Sequence, residues 1–174
     1  MKYIKKKGIL FWIEGFSGSG KTAISKKIKS SIIKKYGPTI TIQGDDLRKI
    51  FKLYDYSKEG RYNNFLKFSR FARFITNQNI NVIFTVVGMQ KIQRDWLKKN
   101  IVNYVEIYIE TKISKIKEKN KKKTYKKNQN IVGIHIKPEL PKKPDIKIVN
   151  DFKQSVDVLS KQLISSIYDL IDKK

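Results

Sequence analysis

Gly15-Phe16-Ser17-Gly18-Ser19-Gly20-Lys21-Thr22 matches the pattern G-x-x-x-x-G-K-[ST] at every fixed position. The glycines allow the backbone to wrap a phosphate with several N–H groups turned inward. A helix beginning near Lys21 would add the positive end of its dipole. Lys21 is placed to reach β- and γ-phosphates, and the Thr22 hydroxyl to ligate Mg²⁺. Before the loop, Gly8 to Ile13 is a short apolar run that reads as a buried strand. After it, Ala23, Ile24, Ile28, Ile32 and Ile33 fall at helical spacing, and Gly37-Pro38 ends that helix. Strand, glycine loop and helix together predict a P-loop. Gly15, Ser17, Gly18, Ser19, Gly20, Lys21 and Thr22 are its candidate ATP-binding residues.

Outward from this loop the chain keeps alternating. Thr39 to Gln43 is β-branched and reads as a second strand, running into Gly44-Asp45-Asp46 and a short helix from Leu47. Asn63 to Thr76 reads as a helix with Phe65, Phe68, Phe71, Ala72 and Ile75 on one side. Val82 to Val87 and Asn103 to Ile109 are further strands, with a helix over Lys91 to Lys99 between them. Asp145 to Val149 reads as an edge strand, and Phe152 to Ile171 as a final amphipathic helix. This order predicts an α/β fold, a three-layer α/β/α P-loop NTPase sandwich with a mostly parallel sheet.

The 174 residues suit a single domain. With no cysteine, there is no disulfide or thiolate chemistry. His135, the only histidine, stands between Ile134 and Ile136 and reads as structural. The net charge of +24 has two readings. One is a polyanion partner; the other is a compositional bias toward lysine on a solvated surface. The lysines are spread along the whole chain, which favours the second and makes nucleic acid a poor candidate partner. No export signal and no membrane-length apolar run is present, so a cytoplasmic protein without membrane partners is expected. The Phe-rich helix could fill the core or form a homodimer face.

A P-loop alone does not separate a motor, a switch and a kinase. A motor ATPase would place acids at the end of an apolar strand, but Val82 to Val87 runs into Gly88-Met89-Gln90. The acids follow the second strand instead, at Asp45 and Asp46. A carboxylate there can accept a hydroxyl proton or help hold a metal. The same pair also suits a helix N-cap. Lys112 to Lys127 holds nine lysines and reads either as a solvated helix face or as a lid over phosphates, about 112–128. The stretch that follows, about 129–144, carries three of the four prolines and reads as an ordered loop.

Larger pieces of the sequence resemble adenylylsulfate kinases. They are Glu14 through Thr22, Gly44-Asp45-Asp46-Leu47-Arg48, and Tyr56-Ser57-Lys58-Glu59-Gly60-Arg61 with Asn64. Tyr125-Lys126-Lys127, Gly133-Ile134 and Pro138-Glu139-Leu140-Pro141 echo that family's lid and substrate loop. The resemblance implies transfer of the ATP γ-phosphate to a nucleotide 3′-hydroxyl, with Mg²⁺ as cofactor and ADP as product. By position, Asp45 would be the proton acceptor, with Lys21 the second catalytic residue. Arg48, Tyr56, Arg61, Asn64, Lys127, Ile131 and Val132 would hold the acceptor, and Lys119 would help cover ATP. Read singly, the two arginines could be surface charges, Asn64 a helix-start residue and Tyr56 a core aromatic.

Several departures fall on the acceptor side. The family's Phe-Thr-Gly-Ile-like run is Ile131-Val132-Gly133-Ile134, without the aromatic. A lid arginine and the Asp after it are Lys119 and Asn120, and lysine lacks the planar bidentate geometry of arginine. The element after Tyr125 is Lys126-Lys127-Asn128-Gln129, and a Ser-Pro-Tyr-like turn is Gly88-Met89-Gln90. An altered acceptor pocket beside an intact ATP loop resembles one branch in particular, the bacterial cytidine diphosphoramidate kinases of capsule phosphoramidate synthesis. Adenylylsulfate is the second acceptor this resemblance allows. A polynucleotide 5′-hydroxyl kinase or a non-catalytic nucleic-acid-binding P-loop protein are the readings outside it.

Overall fold

A computed structural model describes residues 7–119 and 130–172. Five parallel strands form one sheet in the order β2-β3-β1-β4-β5: β1 Leu10–Glu14, β2 Thr39–Gln43, β3 Asn81–Val86, β4 Tyr104–Glu110 and β5 Ile146–Val149. Six helices are present among the described residues: α1 Lys21–Tyr36, α2 Gly44–Ile50, α3 Lys58–Asn77, α4 Lys91–Asn100, α5 Ile113–Lys119 and α6 Val156–Asp172. None is long and apolar enough to cross a membrane. The alternating α/β order gives the parallel layered sheet that the sequence predicts.

The core lies on both faces of the sheet because strand side chains alternate. In β1, Phe11 and Ile13 pack with Ile24 and Ile28 of α1 and Leu159 and Leu163 of α6. Leu10 and Trp12 pack on the other face, with Phe65 and Phe68 of α3 and Leu97 of α4. Trp12 meets Phe65 edge-on at 5.7 Å and Phe84 at 4.7 Å between ring centroids. Burial of each such side chain contributes roughly 1.5–3 kcal/mol. Phe71 departs from the expected face: it is 37% exposed and meets Phe51 on the surface. Phe65 and Phe68 fill the core, whereas Phe74 is 63% exposed.

Three helix starts differ from expectation. The second helix begins at Gly44, not Leu47, and its N-cap is Gln43, without a side-chain cap. Asp45 and Asp46 therefore do not cap it. They occupy its first turn, where the dipole favours negative charge. The third helix begins at Lys58 because Ser57 caps it, accepting from the Gly60 N–H at 3.0 Å. This start brings Arg61 onto the helix and puts Asn64 in its second turn, not at its beginning. The final helix starts at Val156, four residues later than Phe152.

A buried ionic group crosses the carboxyl end of the sheet. Arg94 lies 3.4 Å from Glu14 and 3.3 Å from Glu106, and Lys98 lies 2.7 Å from Glu106. Burial raises the Glu14 carboxyl to about 7, against the attraction of Arg94 and with added repulsion from Glu106. An acid raised on folding favours the folded state while it is protonated, and that contribution fades as pH rises through its folded pKa. Glu14→Gln should remove this dependence. In urea titrations, wild type should lose stability relative to Glu14→Gln as pH climbs from 4.5 to about 7. A pH-independent difference would refute the assignment.

Candidate active site

Parallel strands present their carboxyl ends to one edge, and there the chain leaves a cavity of about 740 Å³. The loop after β1 supplies Ser17 and Gly18, and the first turn of α1 supplies Lys21 and Thr22. The β2–α2 junction supplies Gln43, Gly44, Asp45 and Arg48, and β3 ends there with Thr85 and Val86. Tyr56 precedes α3 and Arg61 lies in its first turn. Ile131 and Val132 close another wall. Ten of the candidate residues thus meet at one cavity, from segments more than 100 residues apart.

The glycine loop is held as the motif requires. Lys21 is buried, and its Nζ donates to the carbonyls of Gly15 and Phe16 at 2.9 and 2.7 Å. Gly20 has φ 94°, a left-handed conformation that disfavours any side chain. Gly15, Ser19 and Gly20 do not line the cavity; Ser19 is fully buried behind it. The Thr22 hydroxyl donates to Gln43 Oε1 at 3.2 Å, linking the loop to the start of α2.

On the other side, two arginines converge on Tyr56. The Arg48 and Arg61 guanidinium carbons stand 4.8 and 5.4 Å from its ring centroid. Arg48 donates to the Leu53 carbonyl, while Arg61 donates to those of Tyr56 and Asn130. No carboxylate reaches ion-pair distance of either among the described residues. Burial lowers both guanidinium pKa values, and for Arg61 the nearby Arg48 lowers it further. Arg48 is 7% exposed, so it is no surface charge, and Tyr56 at 41% is no core aromatic. Asn64 is buried behind this wall, its Nδ2 donating to the Asp55 carbonyl at 3.3 Å.

Val132 reaches the cavity through a small apolar cluster with Phe16, Met89, Tyr108 and Ile116, and Ile131 lines the cavity beside it. Gly133 permits this approach: a Cβ there would lie 2.6 Å from the Phe16 ring, and its φ is 90°. His135 is exposed and structural, its Nδ1 accepting from the Ile131 N–H at 3.1 Å. Lys119 ends α5 exposed and does not line the cavity. Lys127, with Asn120 to Asn128 of the expected lid and Gln129 of the loop after it, lies outside the described residues. Gln43, Lys49, Tyr54 and Thr85 also line the cavity. Of these, only Gln43 carried a signal in the sequence, as the last strand residue before Gly44-Asp45.

A P-loop at the end of the central strand faces a basic and aromatic wall across one cavity, the layout of a P-loop kinase. The model of the adenylylsulphate kinase family matches residues 7–149, and the chain belongs to that family. A cytidine diphosphoramidate kinase from Campylobacter jejuni is 32% identical over 168 residues, covering 92% of this chain and 99% of that one. An adenylyl-sulfate kinase from Buchnera aphidicola is 25% identical over 174 residues, covering 91% and 82%. Among solved structures, the APS kinase of Mycobacterium tuberculosis in complex with AMPPNP and APS superposes with a TM-score of 0.82. It is 21% identical and covers 92% of this chain and 98% of that one, a likeness of fold. The protein is a kinase of this family, a phosphotransferase.

Proposed function

We propose that this kinase transfers the γ-phosphate of ATP to the 3′-hydroxyl of cytidine diphosphoramidate. The observation that carries the choice of acceptor is its similarity, over nearly the full length of both chains, to a kinase named for that compound. The wall formed by Ile131 and Val132 agrees with it. That wall is aliphatic, and a pyrimidine needs less stacking surface than adenine.

In this reading the ATP phosphates occupy the Gly15–Thr22 loop, and Lys21 turns from the loop carbonyls to the γ-phosphate. Asp45 accepts a hydrogen bond from the acceptor hydroxyl and orients it in line with the phosphorus. Arg48 and Arg61 hold the acceptor's anionic groups, and Tyr56 offers its ring to the base. Asn64 supports the turn before α3. The donor set suits Mg²⁺: Thr22 and Asp45 line one cavity, and no group of three or more acidic, His or Cys residues that could hold a metal forms among the described residues. Such a sparse oxygen set fits a metal carried mainly by substrate phosphates, with Thr22 as its protein ligand. When bound, the metal would neutralise charge on the β- and γ-phosphate oxygens. Phosphoryl transfer needs mainly positioning and charge neutralisation, which these residues are placed to supply.

The second reading is adenylylsulfate as acceptor, favoured by the family match itself. A ³¹P NMR assay with ATP–Mg²⁺ and each acceptor separately distinguishes the two. A new 3′-phosphate signal with the cytidine compound alone is expected. Turnover of adenylylsulfate alone would replace the proposal with the second reading, and failure of both would overturn the acceptor class.

A further inference from the structure

The P-loop is held from outside by a residue that its motif does not contain. Asn150 follows the last residue of β5 and is buried, and its Nδ2 donates to the Ser19 carbonyl at 2.9 Å. The orientation of the amide is fixed at its other end, because Oδ1 accepts from the Phe152 N–H at 3.0 Å. A flipped amide would set donor against donor and acceptor against acceptor. Its own N–H donates to the Glu110 carbonyl at 2.9 Å, tying Asn150 to β4. The contact is close: a Cβ on Gly20 would lie 2.9 Å from Asn150 Nδ2. Gly20 is therefore required by this neighbour as well as by its left-handed φ.

The consequence follows from the planarity of the peptide bond. The Ser19 carbonyl and the Gly20 N–H belong to one trans peptide unit and point in opposite directions. Holding the carbonyl toward β5 aims the Gly20 N–H the other way. We infer that Asn150 is a positioning residue that presets the Ser19–Gly20 peptide for the nucleotide phosphates. Preset donors need no reorganisation when the anion arrives. This inference rests on the nucleotide reading of the loop and adds a determinant of nucleotide affinity that touches no substrate.

Asn150→Asp keeps the shape and the Phe152 acceptor but loses the donor; Asn150→Ala loses both. Calorimetric titration with ADP should show binding weakened about ten- to hundredfold in either variant, the range for one buried hydrogen bond left unmade. The KM for ATP should rise while the KM for the acceptor stays close to wild type; the melting temperature should fall by only about 2–12 °C, leaving the protein folded, because the unmade bond also costs stability. Unchanged ADP affinity would overturn the inference, as would equal rises in both KM values, the mark of a general structural role. A measurement on wild type needs no variant to fold. The side-chain amide protons of Asn150 should exchange slowly in NMR with and without ADP, and fast exchange would also overturn it. Wild type that binds no ADP would instead overturn the nucleotide reading, and this inference with it.

Discussion

Lys21→Ala is expected to leave the protein folded and nearly without transferase activity. The ammonium group donates to the carbonyls of Gly15 and Phe16, at 2.9 and 2.7 Å, and opens on the cavity. Alanine is a good helix former, so the substitution does not break the first turn of α1. Catalysis has no such tolerance. Removing one preorganised donor from a transferring group costs about 10²–10³-fold in kcat. The loss should sit in that range or above it, because the group removed is a full charge. An ADP-release assay beside a thermal melt checks both halves. A folded variant with wild-type turnover would contradict the placement of ATP in this loop.

Asp45→Asn should cost about 10²–10⁴-fold in kcat, the usual range for one acid–base group. The substitution keeps the shape and the position in the first turn of α2. It removes the capacity to accept a hydroxyl proton. Loss of a negative charge near the helix N-terminus costs only about 0.3–1 kcal/mol, too little to unfold the chain. The kcat loss should exceed any change in KM for ATP, since Asp45 is assigned to the acceptor hydroxyl. Near-wild-type turnover would remove Asp45 from that role. Asp46, its neighbour, does not line the cavity, so Asp46→Asn serves as the control.

Much of the architecture was legible because its signals are local. The bounds of α1 at Lys21 and Tyr36 and of β2 at Thr39 and Gln43 coincide with the expected ones. A glycine loop before α1, Gly37-Pro38 after it and a β-branched run next are short-range signals that tertiary context did not override. The start of α3 was missed because its first turn is polar, and its apolar stripe shows only from Phe65 onward. The cap at Ser57 was there to be read, but it stands before a turn without hydrophobic period. Phe71 was placed on the wrong face because helical spacing gives a stripe and not its width.

The candidate site divides in the same way. Gly15 to Thr22 and Asp45 came from motif and position, since each carries its chemistry within a few residues, whereas Arg48 and Arg61 came from resemblance to the family. The sequence could not reveal that Tyr56 lies against two guanidiniums, or that Phe16 seats the loop carrying Ile131 and Val132. It gave no sign of the Glu14–Arg94–Glu106 group or of Asn150 holding Ser19 across 131 residues. A phosphate-binding loop, a parallel α/β order and an acid after the second strand are properties of contiguous chain, and sequence alone determined them. Which walls face one another and which buried groups hold the loop were decided by tertiary structure. Those contacts join strand ends that the parallel sheet brings together, and no local pattern records the partner.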